Sequence, residues 1–301
     1  MNSYSEICAL CDEIKCEYSV DVPLRDYTSF KIGGKADLLV FPDSKNKILA
    51  VTEFARNASI PVFVLGKGSN LLVSDEGFRG VVINTCKMDK IELIDETTIS
   101  CQCGASLSRL CRFALDNSLE GLEFAFGIPG TAGGAAYMNA GAYGGEMKDV
   151  LIRCEHITPD GELSEFDADK LDLSYRHSVY SDSDYVILSL VLKLKKGDKN
   201  EIKARMDDLM SRRKDKQPLE YPSAGSTFKR PEGYFAGALI EQCGLKGYSS
   251  GGAQVSEKHA GFVVNKGGAT AADVLNVINH CRETVYSETG VTLEPEVKII
   301  G

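Results

Sequence analysis

The sequence has no apolar run of the roughly 18 residues that a membrane helix needs, and its N-terminal segment contains acidic residues. We therefore expect neither a signal peptide nor a membrane span, and a cytosolic protein. Basic residues are outnumbered by acidic ones, 34 against 43. The net charge of -9 argues against nucleic-acid binding, and the only dense basic run is RRKDK at 212–216. A run this short is most often a solvated helix end, but it would also suit an anionic ligand.

Metal-binding and common nucleotide-binding motifs are absent as well. The ten cysteines include one CxxC (Cys8, Cys11) and one CxC (Cys101, Cys103), without a second pair at zinc-ribbon spacing. We expect no metal and mostly reduced core cysteines. Neither GxGxxG nor GxxxxGK[ST] occurs, so a dinucleotide held at a helix N-terminus in the usual way is not predicted.

Glycine, in contrast, is concentrated in one uncharged segment. Residues 127–145 read GIPGTAGGAAYMNAGAYGG, in which seven of nineteen positions are glycine. Glycine lets the backbone approach a bulky ligand closely, so this glycine segment predicts one wall of a nucleotide-like site. The alternative is a flexible linker, but the interspersed Ile128, Pro129, Tyr137 and Met138 favour packing. A second glycine loop, GKGSN at 66–70, lies between two apolar runs and could bind an anion through its N–H groups, although a hairpin turn would look the same.

Periodicity predicts a mixed α+β protein. Strands are not followed one by one by helices, which argues against a doubly wound repeat. Apolar stripes of helical period predict helices near 3–16, 45–57, 105–118, 199–214, 235–243 and 271–287. Aliphatic and β-branched runs predict strands at 37–41, 61–65, 80–84, 149–156, 185–195 and 292–300.

Several separated segments resemble one family. They are YTSFKIGG at 27–34, VLGKGSNLLVSDEGFRGVVI at 64–83, the glycine segment, YRHS at 175–178, AGSTFKRP at 224–231 and LEPEVKIIG at 293–301. Together they are similar to the UDP-N-acetylenolpyruvoylglucosamine reductases, flavoenzymes of peptidoglycan precursor synthesis. Because the segments run in one order from about residue 20 to the C-terminus, the resemblance is more specific than any single motif.

The resemblance implies an α+β, FAD-binding fold of the vanillyl-alcohol-oxidase (PCMH) type, followed by a smaller α+β substrate-binding domain. The implied FAD-binding region is 1–211, with subdomains of about 20–84 and 85–211 and a returning C-terminal strand at 292–301. The substrate-binding domain would be 212–291. The chain resembles the form of the family that lacks an extra tyrosine-bearing loop, since no tyrosine occurs between the strand at 185–195 and Tyr221. How substrate is covered is therefore left open.

The resemblance also implies FAD as cofactor and NADPH as hydride donor. None of the four histidines lies in either glycine loop, so we expect noncovalent FAD. The expected cofactor contacts are Gly66, Lys67, Gly68, Ser69, Asn70, Gly127, Gly130, Thr131, Gly133, Gly134, Asn139 and Gly141.

Two hydride transfers are implied, from NADPH to the flavin and from the flavin to the enolpyruvyl ether of a UDP-sugar. The second transfer leaves negative charge beside a carboxylate, and the charged carbon must then gain a proton. By resemblance Ser226 is the proton donor, while Arg176 and Glu296 stabilise the intermediate. Outside the family context each has an ordinary structural explanation: a turn serine, a surface arginine and a solvated glutamate.

Substrate contacts are expected from cations that would oppose the global negative charge. By resemblance these are Arg212 and Lys216, with Tyr175, Lys229, Arg230 and Gln254 as further candidates. With no separate nicotinamide motif, NADPH and the UDP-sugar are expected to use one pocket in turn. Nothing in the sequence indicates an obligate protein partner. Two alternatives remain at this point, a flavin-dependent sugar or lactone oxidase and a non-catalytic UDP-sugar sensor.

Overall fold

The computed structural model of the chain describes residues 3–301. It contains both predicted element types, and the α+β fold class is confirmed. The helices are α1 Ser3–Glu13, α2 Lys45–Asn57, α3 Leu107–Asp116, α4 Ala132–Tyr137, α5 Lys199–Lys216, α6 Ala236–Gln242 and α7 Ala271–Thr289. Short 3-10 turns lie at Leu24–Tyr27, Thr85–Lys87, Glu123–Ala125, Met147–Asp149 and Ala168–Lys170.

The strands form two larger sheets and several small ones. They are β1 Glu17–Pro23, β2 Lys35–Phe41, β3 Val62–Leu65, β4 Leu71–Val73, β5 Phe78–Asn84, β6 Ile91–Leu93, β7 Thr98–Gln102, β8 Leu119–Glu120, β9 Gly141–Ala142, β10 Gly145–Glu146, β11 Leu151–Ile157, β12 Leu163–Asp167, β13 Val186–Lys193, β14 Lys195–Lys196, β15 Ser249–Ser250, β16 Ala253–Val255, β17 Val263–Asn265 and β18 Lys298–Ile300.

The two larger sheets differ in strand direction. One has the order β1-β2-β5-β3 and includes a parallel pair, β3 with β5. The other has the order β12-β11-β13-β7-β6 and is antiparallel throughout its registered pairs. Neither sheet has the helix-after-every-strand pattern of a doubly wound fold, as the sequence predicted.

Contacts divide the chain into two compact units. The first comprises Met1–Ser19, Leu38–Gly66 and Gly80–Arg213, and the second comprises Val20–Asp37, Lys67–Arg79 and Lys214–Gly301. Each unit has its own hydrophobic core. The first is built around the antiparallel sheet and α2 and α3. The second surrounds α6 and α7 and also contains Phe30, Ile32 and Leu72 from distant parts of the sequence. The domain limits expected from the sequence stay a prediction.

Local chemistry accounts for the ends of the longest helix. Thr270 and Asp273 form a reciprocal capping box at the start of α7, and Gly290 ends it in the left-handed conformation at φ +73°. In the second unit the carboxylate of Asp75 also accepts the N–H groups of Ala271 (2.8 Å) and Ala272 (3.1 Å). A residue just after β4 therefore supplies acceptors for the first turn of α7.

Most cysteines are core residues, as expected. Seven of the ten are buried. Burial raises the pKa of the Cys103 and Cys111 thiols to about 12, which keeps them protonated at neutral pH. Among residues 3–301 no cluster of three potential metal ligands occurs. No helix in the same range is long and apolar enough to cross a membrane.

Candidate active site

The two glycine loops meet in the first unit. A Cβ atom on Gly66, where the 66–70 loop begins, would lie 2.5 Å from the Oγ1 atom of Thr131. Thr131 is the N-cap of α4, and its hydroxyl accepts the N–H of Gly134 at 3.3 Å. Only a residue without a side chain fits against this cap. Gly66 of one predicted loop and Thr131 of the other are therefore neighbours in space.

The donor set of the glycine segment suits a polar cofactor. Gly127 and Gly130 have φ of +88° and +141°, conformations that other residues rarely adopt. Within the described chain the backbone N–H groups of Gly127, Gly130 and Thr131 donate to no protein acceptor. Clustered N–H donors without protein acceptors can bind phosphate or the polar edge of a ring system. The residues present therefore fit FAD.

Other glycines of the segment serve protein packing. A Cβ on Gly133 would lie 2.8 Å from the Cβ of Cys103, and the Gly133 N–H donates to the Cys103 carbonyl at 2.8 Å. A Cβ on Gly141 would lie 2.8 Å from the Cβ of Glu146, its partner in the β9–β10 hairpin. These contacts explain both glycines without a ligand, and their predicted cofactor contacts stay a prediction.

The remainder of the 66–70 loop belongs to the second unit. Gly68 has φ of +59°, and its carbonyl accepts the N–H of Ser29 at 3.1 Å. A Cβ there would collide with the carbonyl of Tyr27. Lys67 is exposed, and its N–H and that of Gly68 donate to no acceptor among the described residues. The YTSFKIGG segment thus packs against Gly68 and donates a hydrogen bond to it.

Arg176 occupies the tip of a two-residue hairpin. The backbone groups of Ser174 and His177 exchange two hydrogen bonds of 3.2 Å, which leaves Tyr175 and Arg176 as the turn residues. Arg176 has φ of +55°, an uncommon conformation for a side chain of its size. Its guanidinium lies 5.1 Å from the centre of the Tyr175 ring, and Nη2 donates to the Gly141 carbonyl at 3.5 Å. The turn therefore holds Arg176 beside the glycine segment.

Asn139 connects the same turn to the glycine segment. Its side chain is completely buried and donates to the Ser174 carbonyl at 2.9 Å and to Glu146 at 2.5 Å. Its amide oxygen accepts the N–H of Lys148 at 2.9 Å. The structure places this amide among protein groups, where it supports the hairpin that carries Arg176. Its predicted cofactor contact stays a prediction.

Ser226 and Glu296 come together in the second unit. Phe228 and Pro295 form an antiparallel bridge, flanked by hydrogen bonds of 2.8 Å from Glu296 N–H to the Thr227 carbonyl and from Lys229 N–H to the Glu294 carbonyl. Ser226 is exposed and Glu296 is half-buried. Two candidates that are 70 positions apart thus lie on adjacent extended segments. Glu294, by contrast, is largely exposed, and its carboxylate is 3.4 Å from Lys229 Nζ.

The predicted diphosphate cations have different surroundings. In the first unit Arg212 is exposed and forms an ion pair of 2.9 Å with Asp208, one turn earlier in α5. The next residue, Arg213, was missed by sequence reasoning. It is buried, a Cβ atom on Gly127 would lie 3.3 Å from its Cδ and Nε atoms, and its guanidinium lies 5.9 Å from the Tyr143 ring centre. Burial lowers the pKa of this arginine. The missed signal is its helical spacing from Met206 and Leu209, both buried.

The remaining substrate candidates lie on the second unit, apart from Tyr175. Lys216 and Arg230 are exposed, and the Arg230 guanidinium stacks 4.2 Å from the centre of the Phe235 ring. The side-chain amide of Gln254 donates to the Gly247 carbonyl at 3.2 Å. These contacts neither require nor exclude a ligand, so the substrate assignments stay predictions.

Comparisons with known proteins identify the family. Residues 36–167 match the family described as FAD binding domain, and residues 217–300 match UDP-N-acetylenolpyruvoylglucosamine reductase, C-terminal domain. The chain belongs to the UDP-N-acetylenolpyruvoylglucosamine reductase family. A reductase of that name from Agathobacter rectalis is 53% identical, with 93% of each chain covered. One from Clostridium perfringens is 48% identical over 100% of this chain and 99% of its own.

A solved structure of the same family supports the fold. The reductase of Thermus caldophilus aligns with a TM-score of 0.81 and 36% identity, covering 95% of this chain and 99% of its own. The expected order, an FAD-binding region followed by a family-specific C-terminal domain, is therefore confirmed. The oxidase alternative finds no support in these relatives.

Proposed function

We propose that the protein reduces the enolpyruvyl ether of UDP-N-acetylglucosamine to UDP-N-acetylmuramate, a step of peptidoglycan precursor synthesis. Membership of the reductase family supports this function, and the structural observation that carries it is the pairing of the Ser226 segment with the Glu296 segment. The reaction consumes NADPH and a nucleotide sugar, which are cytoplasmic metabolites, so we place the protein in the cytoplasm. A non-catalytic sensor would not need this proton-handling pair.

FAD, when bound, supplies the hydride relay between NADPH and the enolpyruvyl carbon. The glycine segment would hold it through the backbone N–H groups of Gly127, Gly130 and Thr131, with Thr131 fixing the start of α4. No histidine lies in either loop, which supports noncovalent attachment. The chain's own residues must therefore bind, orient and protonate the substrate.

Protonation of carbon is the task proposed for Ser226. A serine hydroxyl is a weak acid, but the enolate-like carbon formed beside the substrate carboxylate is strongly basic and accepts a proton when geometry is fixed. The Ser226 hydroxyl is exposed and therefore accessible to a substrate. Its neighbour Thr227 is buried and donates and accepts backbone hydrogen bonds, which fixes the segment.

Arg176 and Glu296 are proposed to stabilise the charge on the intermediate. A guanidinium can bind a carboxylate through two parallel hydrogen bonds, which a lysine cannot do. Glu296 can help only as a hydrogen-bonded or protonated group, because a bare carboxylate would repel an enolate. Its half-buried position is consistent with this requirement.

Substrate and NADPH are proposed to use one pocket in turn. Strand β13 leads through Lys195–Lys196 directly into α5, so this chain has no additional tyrosine-bearing loop there. Arg212, in an exposed pair with Asp208, and the exposed Lys216 are both proposed to contact the UDP diphosphate. Alternating use of one pocket gives parallel double-reciprocal plots, whereas intersecting lines would reject it.

Anaerobic stopped-flow absorbance tests the function in its two halves. NADPH is expected to bleach the yellow protein, and enolpyruvyl-UDP-N-acetylglucosamine is expected to restore the colour without oxygen. Recovery with oxygen and a simple sugar instead, and no response to NADPH, would indicate an oxidase. Colourless purified protein that binds UDP-sugars would indicate a sensor.

Ser226→Ala separates the two halves. We expect bleaching by NADPH to remain nearly normal, because it needs no proton donor to carbon, while recovery with substrate slows by several orders of magnitude. The matched control is Ser223→Ala in the same segment, because the hydrogen bond of Ser223 among residues 3–301 is accepted by its backbone carbonyl, which alanine keeps. Equal losses in both halves would remove the proposed role of Ser226.

A further inference from the structure

Both backbone polar groups of Glu296 are occupied, and by different segments. Its N–H donates to the Thr227 carbonyl at 2.8 Å, beside Ser226. Its carbonyl accepts from the side-chain amide of Asn70 at 3.1 Å. Asn70 is the last residue of the 66–70 loop, and both residues belong to the second unit. The carboxyl-bearing residue is therefore held between the proton-donor segment and the loop predicted to bind the cofactor.

The sequence around Pro295 explains why the Glu296 carbonyl needs a side-chain donor. Regular pairing of the C-terminal segment with β4 begins only at Lys298, opposite Leu71. Before it Pro295 lacks an N–H, so residues 293–297 make no regular ladder and run as an irregular extended segment. A half-buried carbonyl in such a segment needs another donor. Asn70 supplies it, and its own carbonyl accepts the Lys298 N–H at 3.0 Å.

The Ser226 segment has a parallel connection to the same loop. The hydroxyl of Ser29 donates to the Ser223 carbonyl at 2.7 Å, three residues before Ser226. The backbone N–H of Ser29 donates to the Gly68 carbonyl at 3.1 Å. Glu296 is thus one hydrogen bond from the 66–70 loop, and Ser223, three residues before Ser226, is connected to the same loop through Ser29.

We infer that Asn70 is a positioning residue for Glu296. Its hydrogen bond to the Glu296 carbonyl fixes the backbone at that residue, and thereby the position of the Glu296 carboxyl group relative to Ser226. The inference rests on the proposed function and extends it, because it makes the 66–70 loop part of the proton-handling machinery as well as of the cofactor site. A shift of about 1 Å in such a group is enough to slow a reaction by roughly 100-fold.

Asn70→Asp tests the inference, because it keeps the size of the side chain and removes the N–H donor. Because Asn70 is also a predicted cofactor contact, flavin content and bleaching by NADPH are measured for each variant, and recovery with the enolpyruvyl substrate, per bound flavin, is expected to slow by about 10- to 100-fold more than bleaching does. Asn70→Ala should behave alike, and Asn70→Ser, which keeps a shorter donor, should regain part of the rate.

A double substitution shows whether Asn70 affects the recovery through Glu296 or independently of it. If Asn70 works by placing Glu296, Asn70→Asp added to Glu296→Gln slows the recovery little beyond Glu296→Gln alone. Ser74→Ala is the control, because its hydroxyl accepts only the nearby Glu76 N–H at 3.1 Å. Losses that multiply in the double variant, or equal slowing of bleaching and recovery per bound flavin, would overturn the inference. The wild-type protein in the same series tests the proposed function separately, because a wild-type flavin that does not recover its colour with the enolpyruvyl substrate would count against that function and not against the role of Asn70.

Discussion

At the scale of single residues, the backbone of Arg176 is the most informative feature of the site. Its φ of +55° is unfavourable for a large side chain, yet the flanking Ser174 and His177 pair on both sides and hold the turn closed. Strain that the surroundings maintain is most often found where a side chain must point in one direction for function. The buried amide of Asn139 adds a third restraint, through the Ser174 carbonyl.

Arg176→Lys tests whether the shape of the guanidinium matters beyond its charge. Lysine keeps the charge but loses the planar fork, so we expect recovery of the yellow colour with substrate to slow by about 100-fold. Flavin content should not change. The control is Arg153→Lys in the same unit, because Arg153 forms an exposed ion pair of 3.4 Å with Glu165. Equal effects of the two substitutions would count against the role of Arg176.

At the scale of secondary-structure elements, the spacing of apolar residues predicted the helices well and the strands incompletely. All six expected helices exist, with ends shifted by a few residues. The short α4 was not predicted, because Ala and Gly with one Tyr carry no amphipathic stripe. Its formation depends on the Thr131 cap and on packing against Cys103, which are tertiary contacts.

Strand β7 and the C-terminal strand show why strands were harder to predict from the sequence than helices. β7 reads TISCQ and lies inside the antiparallel sheet. Because three of its five residues are polar, it lacks the aliphatic run from which the other strands were predicted. The expected strand at 292–300 is a strand only at Lys298–Ile300, because Pro295 interrupts the ladder. The site depends on that interruption, since it leaves the Glu296 carbonyl to Asn70. Sequence alone predicted one strand across 292–300, but not the partner of this carbonyl.

Asp75→Ala tests the capping of α7 from outside the helix. The carboxylate accepts two N–H groups of the first turn, so its removal leaves them to solvent and should lower the free energy of unfolding by about 1–2 kcal/mol. Denaturant titration followed by circular dichroism measures this. The neighbouring Glu76→Ala is the control and should change stability by less than about 0.5 kcal/mol. An unchanged midpoint for Asp75→Ala would show that the Thr270 cap suffices.

At the scale of the whole molecule, each compact unit is assembled from separated stretches of the chain. The second unit takes residues 20–37 and 67–79 from the N-terminal part and joins them to everything after residue 213. Composition and period could not predict this, because neither records which distant segments exchange hydrogen bonds. The family resemblance predicted the segments that matter and their order, but not that Ser29 and Asn70 connect them.

Stability of the molecule should depend on pH through His156. This histidine is completely buried in β11, with Nδ1 3.0 Å from the Tyr180 hydroxyl and its ring 4.3 Å from that of Phe166. Burial lowers its pKa, so the folded state holds it neutral. The unfolded chain binds a proton below the ordinary histidine pKa of about 6.5, and the folded chain does so only at lower pH. The free energy of unfolding should therefore fall as pH drops below about 6.5.

His156→Gln isolates this contribution. The difference in unfolding free energy between wild type and variant should shrink as pH is lowered from about 7.5 to 5.5, by at most about 1.4 kcal/mol per pH unit. Burial also lowers the pKa of His259, but that residue remains in both proteins and cancels in the difference. Urea titrations at four pH values supply the measurement. A difference that stays constant with pH would mean that His156 takes up its proton equally in both states.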